Sequence, residues 1–355
     1  MTTIRMGTLA GLAALILGSS AGAANITPIK TVTANGYTFL NFDGPTPNTG
    51  GTTIDGISNN GTVVGFTTAA NGNLTNFTAN PGTGTSATIL NINNSTAAMA
   101  NGINSTGTIV GFDGNNNGFS LVNGTASPLI GGGYTPAMAF GINDKGMIVG
   151  QYTTGASTPG FLLNGITTTT IDAPKGTTGD TVNAQGINNN GLIVGFYLGN
   201  DGQDHGFMAS ASSASSGHII GTAVADPTIP NVPGEPGATF VFSQILGVND
   251  SGIAVGYYGD STTSQHGFLY NTITGKYTFL DDPYAGFHNG VEITQITGIT
   301  NSGEITGFYN DANGVAHGFV AFAAVPEPGS MLLLGIGVIL GVGYTRRRAG
   351  RTSAS

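Results

Sequence analysis

The chain has no cysteine and no tryptophan among its 355 residues. The first absence excludes disulfides, thiolate metal sites and cysteine nucleophiles. It does not argue against export, because a repeat protein can build its core without covalent staples. The second removes the strongest stacking platform for sugars. Charge is also scarce, with Asp, Glu, Lys and Arg making up 8%, against about 25% in an average soluble domain. Of the nine basic residues, Arg5, Arg346, Arg347, Arg348 and Arg351 lie in the terminal segments. That leaves Lys30, Lys145, Lys175 and Lys276 for residues 25–325, a stretch that holds every acidic residue except Glu327. The middle is therefore strongly acidic, and it offers no basic footprint for nucleic acid. Long apolar runs are confined to the two ends. No GxSxG elbow, P-loop, SxxK or HExxH stands out.

What fills the space is Gly (60 residues), Asn and Thr. Glycine-rich chains can be disordered, but here Val, Ile, Leu and Phe recur in register, which a disordered tract has no need to do.

The ends read as processing signals. Residues 1–24 carry Arg5, an apolar run from Met6 to Gly18, then small residues with an A-x-A site at Ala21-Gly22-Ala23. This is the layout of a secretory signal peptide for the Sec translocon, with cleavage expected after Ala23 or Ala24. At the other end, Val325-Pro326-Glu327-Pro328 precedes an apolar run, Met331–Tyr344, and Arg346-Arg347-Arg348 follows at once. The prolines leave an extended, protease-accessible stretch. The apolar run can enter a bilayer as a helix, although it is shorter than the roughly 20 residues a full span prefers. The arginines would stay on the cytoplasmic side. Gly337 and Gly341 form a GxxxG inside that run, but a sorting helix that tolerates small residues explains them without a dimerisation or nucleotide role.

Residues 325–355 resemble the PEP-CTERM sorting signal in all three parts and in their order. The resemblance implies an exported protein handed to an exosortase, with Val325, Pro326, Glu327, Pro328, Arg346, Arg347 and Arg348 as substrate residues for that enzyme. It also implies a cell-surface or matrix destination linked to exopolysaccharide, after a transient stay in the inner membrane. It is silent on the exported domain.

That domain, residues 25–324, is a repeat array. Gly298–Phe319 reads GITNSGEITGFYNDANGVAHGF, and relatives start at Gly56, Gly102, Gly141, Gly186 and Gly247, at gaps of 46, 39, 45, 61 and 51 residues. Periods near 40–50 with strand-like content predict an all-β fold: a β-propeller-like array of six four-stranded repeats. A solenoid or stacked sandwiches fit the varying repeat length less well. Each copy parses as an opening strand (Tyr37–Asp43, Ala87–Ile92, Ser127–Ile130, Thr167–Asp172, Thr239–Phe242, Tyr277–Asp281), a strand ending in GIN, an Asn/Gly turn, an apolar strand such as Leu192–Tyr197, and a strand opening with HGF or a relative. The apolar strand carries a fixed glycine (Gly65, Gly111, Gly150, Gly195, Gly256, Gly307), expected where a backbone or aromatic ring comes close. The repeat resembles bacterial extracellular HAF-type repeats, which implies fold and location only. Residues 209–246, with ASASSASSG and four prolines, interrupt the period and read as a tolerated long loop.

Candidate chemistry is sparse. His205, His266 and His317 share one repeat position, where copies two and three carry Asn117 and Pro159. A shared metal ring would need all of them to face the channel, so hydrogen bonding inside each blade is the expected role. Asp201, Asp204, Asp260 and Asp311 sit in loops that could hold Ca²⁺, but none reaches the DxDxDG spacing, and solvated turns account for them. Asp281, Asp282, Glu292 and Glu304 cluster in the last copy without any pairing that sequence can establish. Tyr152, Tyr197, Tyr258 and Tyr309 end one strand each, in positions that fit blade packing. The expectation is a non-enzymatic structural or adhesive surface protein that needs no cofactor. A glycan-binding module or a polysaccharide hydrolase or lyase is the alternative.

Overall fold

The computed structural model describes residues 23–45, 50–129 and 137–324. It is all-β apart from a single 3-10 turn at Ala211–Ser213, and its strands form six sheets of four or five strands. These are the six blades of a β-propeller. Residues 1–22 of the expected signal peptide, Val325–Pro328, the apolar helix and Arg346–Arg348 lie outside the described residues, whereas Ala23 and Ala24, the residues at the expected cleavage site, fall in a described strand. Within the described residues no helix is long and apolar enough to cross a membrane.

Blade two shows the plan. Met99–Ile103 lies innermost, followed outward by Ile109–Phe112, Gly118–Val122 and Thr125–Pro128, all antiparallel. The innermost strand is the one ending in GIN. The apolar strand comes second, one place earlier than the sequence reading put it, and as expected it is buried on both faces because a blade lies against each side. Its glycine pairs directly opposite the Phe of the third strand: Gly111 faces Phe119, Gly195 faces Phe207 and Gly307 faces Phe319. A Cβ on Gly195 would fall on the carbonyl oxygen of Asn183 and within 2.7 Å of the Phe207 ring. Both close approaches foreseen for this glycine are therefore present. The Phe rings fill the spaces between blades. One such core joins Val149, Leu162 and Ile171 of blade three to Val182, Ile193 and Phe207 of blade four. Each such ring is fully buried, an arrangement worth about 1.5–3 kcal/mol per side chain.

The grouping of strands differs from the sequence reading by one step. Four of the six opening strands belong to the preceding blade, on its outer side. Ser86–Ile89 pairs with Leu74–Ala79 of blade one, and Thr125–Pro128 pairs with Gly118–Val122. The reason is local. Asn123 and Gly124 both have positive φ, the geometry of a type I′ hairpin turn, so the third strand returns at once as the fourth. Tyr37–Asp43 then has no preceding blade and pairs instead with Ala316–Ala323 of blade six. A second N-terminal strand, Thr27–Ala34, lies outside it. The chain is closed into a ring by its own beginning, and closure removes exposed inner edges.

The 209–246 insert is ordered. His218–Ile220 adds a parallel fifth strand to blade three, and Thr222–Ala223 supplies the outer strand of blade four. Thr239–Phe242, expected as an opening strand, is instead largely the start of the innermost strand of blade five, Phe240–Val248. Ala23–Asn25 pairs with Ser86–Ile89 at the edge of blade one.

Candidate functional site

Each innermost strand carries a β-bulge just before the glycine of its GIN motif, for example between Ile54 and Gly56 or between Ile245 and Gly247. A bulge re-aims one side chain. Here the re-aimed residues are Asp55, Asn101, Phe140, Gln185, Leu246 and Thr297, one per blade, and all six line a cavity of about 270 Å³ on the axis. Only glycine fits behind the bulge. A Cβ on Gly102 would come 2.7 Å from the Phe140 carbonyl oxygen of the next blade. Asp55 lies in this channel with Oδ2 buried and unpartnered, and burial pushes its pKa up to about 7.

Turn residues rim one end of the channel. The Asn143 amide donates to the Asn188 carbonyl of the next blade, Asn188 to that of Asn249, and Asn249 to that of Thr300. The next residue in each turn repeats the pattern. The backbone N–H of Ser105 donates to Asp144, Asp144 to Asn189, Asn189 to Asp250, Asp250 to Asn301 and Asn301 to Asn59. The ring thus links all six blades through five of its six joints. The joint between Asn59 and Ser105 lacks the bond among the described residues, because the Ser105 side chain is too short to span it. The polar residues of the turn are therefore engaged in blade-to-blade bonding.

The histidines sit at the other end of the strands. Each packs at a tilt against the tyrosine opposite it, with ring centroids 5.8 Å apart for Tyr197–His205, 5.2 Å for Tyr258–His266 and 5.3 Å for Tyr309–His317. Each places Nδ1 on a carboxylate of its own blade's outer edge: Asp226 at 2.9 Å, Asp281 at 2.9 Å and Asp43 at 2.7 Å. The three do not converge on the channel, and each Nδ1 bonds within its own blade. The loop acids cap turns. Asp201 accepts from the Gln203 N–H, Asp260 from that of Thr262, and Asp311 from those of Asn313 and Val315. Asp204 accepts from the Gln244 amide. Tyr152, Tyr258 and Tyr309 are buried and Tyr197 half-buried, so they serve packing.

The acids of the last copy separate. Asp282 is buried, accepts from Asn41, and is raised to about 6 by burial. Glu304 closes the turn at the ring end, where Thr300 donates to its carbonyl. Asp281 and Glu292 gather around His266, and the insert adds Glu235 there, 3.0 Å from His266 Nε2. Asp260 Oδ2 lies 3.8 Å from the same nitrogen. Burial would lower the His266 pKa, but the Asp281 and Glu235 carboxylates outweigh it and raise it to about 9. Burial, reinforced by the charge of Asp281, lifts Glu292 to about 7. Sequence reasoning missed Glu235 and Asp226, since both lie in the Pro-rich insert outside any repeat. Their only signal was acidity in a segment long enough to reach back.

The protein is a six-bladed β-propeller followed by a short sorting segment. Residues 324–348 match the PEP-CTERM protein-sorting motif, which identifies that segment and leaves the propeller unassigned. No curated protein matches the chain. Solved structures of similar shape include a gluconolactonase from Xanthomonas campestris, at 11% identity and a TM-score of 0.47 over 86% of this chain and 98% of that one. Another is a putative TolB from Agrobacterium tumefaciens, at 10% identity and a TM-score of 0.40 over 83% and 80%. The fold assignment here rests on the strand topology.

Proposed function

We propose that this chain is an exported surface protein, delivered through the Sec translocon and processed by an exosortase. Its propeller serves a structural or adhesive role in an exopolysaccharide or biofilm matrix and turns over no substrate. The observation that carries the reading is the PEP-CTERM match at residues 324–348. Val325–Pro328 is the segment the exosortase handles, and Arg346–Arg348 holds the tail on the cytoplasmic side until then. The non-enzymatic part is supported by the use of the repeat's polar residues in joints between blades. The acidic surface also suits a matrix component, because it stays soluble and does not adhere to anionic polymers without a bridging group.

The test has two arms. Replacing Pro326, Glu327 and Pro328 with Ala in the producing cell should leave the protein uncleaved in the inner-membrane fraction. Unchanged surface delivery would overturn the sorting reading. Full-length protein in detergent, incubated with the producer's own polysaccharide, should release no soluble sugar. Release that disappears on substituting one acid would overturn the non-enzymatic reading and support a hydrolase or lyase.

A further inference from the structure

The pocket around His266 holds more negative charge than its partners neutralise. His266 Nε2, one oxygen of Glu235 and one of Asp260 all lie within 4.8 Å of one another. The three side chains are 1%, 2% and 0% exposed. Asp281 sits on the far side of the imidazole, 2.9 Å from Nδ1, and Glu292 lies near enough to feel both Asp281 and His266. No lysine reaches this pocket. Among the described residues every ion pair uses a histidine, and no arginine occurs between residues 25 and 325. One imidazolium can balance only one of the buried carboxylates, and buried charge without a counter-charge is costly.

Two buried polar atoms make the same point independently of the charge count. Asp260 Oδ2 has no hydrogen-bond partner, although its other oxygen accepts from the Thr262 N–H and hydroxyl. The Tyr258 hydroxyl also has none; the residue is wholly buried, and its oxygen lies within the influence of Asp281, Asp260, Glu235 and Glu292. Buried polar groups without partners are rare and call for an ion or water.

We infer that Glu235, Asp260 and His266 bind one divalent transition-metal cation, with Zn²⁺ the best fit, and that this ion pins the 209–246 insert to blade five. The 3.0 and 3.8 Å separations from Nε2 bracket the roughly 3.4 Å edge of a tetrahedron with metal–ligand bonds of about 2.1 Å. One imidazole with two carboxylates suits Zn²⁺ or Mn²⁺ better than Ca²⁺, which takes six to eight oxygens. On binding, Nε2 gives its proton to solvent and its lone pair to the metal. Nδ1–H continues to donate to Asp281, the outer contact that fixes the ring's orientation at many metal sites. Water takes the fourth position. The site is closed on all sides by side chains, so its role is structural.

The test uses the full-length protein in detergent, stripped with EDTA, then given ZnCl₂, MnCl₂ or CaCl₂ and desalted. We expect one Zn²⁺ or Mn²⁺ per chain by elemental analysis and a melting temperature about 5–10 °C higher at saturating metal. X-ray absorption on the Zn²⁺ form should show one nitrogen among oxygen ligands. Asp260→Asn should lower metal affinity at least tenfold. It should hardly move the melting temperature of the stripped protein, because the altered oxygen has no bond to lose. Asp201→Asn, at the exposed His205 contact, should leave the stoichiometry at one. Wild-type protein that retains no metal and melts unchanged would overturn the inference. So would preferential Ca²⁺ binding, or a stoichiometry unaffected by Asp260→Asn. If Asp260→Asn fails to fold, the wild-type stoichiometry and absorption spectrum decide alone.

Discussion

His317 Nδ1 lies 2.7 Å from Asp43 Oδ1 across 274 residues of chain. The contact repeats the His205–Asp226 and His266–Asp281 geometry of blades four and five, but here it joins the last repeat to an N-terminal strand. Asp43→Ala should therefore weaken ring closure. A cost of about 1.5–3 kcal/mol is expected for a lost charge-assisted bond, which leaves the partly buried imidazole only its 3.6 Å contact to Asp311. Urea denaturation should show it. Asp226→Ala removes the same contact at a similarly exposed site away from the seam and should cost less. Equal losses would mean that closure carries no special weight.

The glycines of the second strands and of the turns answer to different constraints. Gly195→Ala drives a methyl group onto the Asn183 carbonyl and the Phe207 ring, and neither can retreat in a packed blade. A loss of about 3 kcal/mol or more is expected. Gly107→Ala meets open space but must hold φ near +81°, which costs about 1–2 kcal/mol. Thermal melts of the two variants should differ accordingly, and a reversal of their order would refute the packing account.

The axial ring has one weak joint, and lengthening its short side chain should stabilise the fold. Ser105→Asn gives the Asn59 N–H an acceptor like the ones at the other five joints. A gain of about 0.5–1.5 kcal/mol is expected from one more bond. Asp250→Ala should act in the opposite direction, since its carboxylate accepts from the Asn189 N–H and from the amides of Asn189 and Asn301. A destabilised Ser105→Asn would show that Asn59 is better served by its present bond to Asp144.

Stability should fall as pH rises through neutrality. His317 is raised by Asp43, and His205 is raised by Asp226 and Asp201 against the opposing effect of burial; His266 is raised to about 9. A raised histidine contributes stability that is complete below its unfolded value near 6.5 and is lost as pH climbs through the folded value. Asp55 and Glu292 at about 7 and Asp282 at about 6 act in the same direction, because the folded state holds their protons longer than the unfolded chain does. Below about 4 the sign reverses. Asp113 and Asp311, lowered by turn hydrogen bonds that outweigh burial, Asp144, lowered against burial by bonds from Ser105, Asn189 and Asn59 of other blades, and Asp201, lowered first by the Gln203 N–H, then give up their contribution. The melting temperature in EDTA should peak between about pH 4 and 6 and drop toward pH 9. A flat or rising profile over pH 6–9 would refute this.

Blade number, the apolar second strands and the glycine close approaches were legible in the sequence, because each is imposed on every copy by the same packing. The strand grouping was not. The repeat unit seen by eye starts at an outer strand, while hydrogen bonding starts one strand later, and the signal that settles it is the turn at Asn123-Gly124. Asn76 shows how a faded copy can still function. It stands where the other blades have Gly, and its amide bonds the Ala98 carbonyl and the Ala100 N–H of the next blade. The His266 pocket was half legible. His266, Asp260 and Asp281 follow the repeat, but Glu235 arrives from a segment with no period, and only three-dimensional folding places it.

The closing strand also sets how the molecule would bear load. Ala316–Ala323 lies between Ile305–Asn310 and Tyr37–Asp43, bonded on both sides, and the Ala324 N–H donates to Gly36 at 2.8 Å. The sorting motif begins at that same residue. When the tail is held at a surface, a pull along it runs parallel to this strand. Two rows of hydrogen bonds are then sheared together rather than opened one at a time, so the seam that completes the ring is also its mechanical clamp.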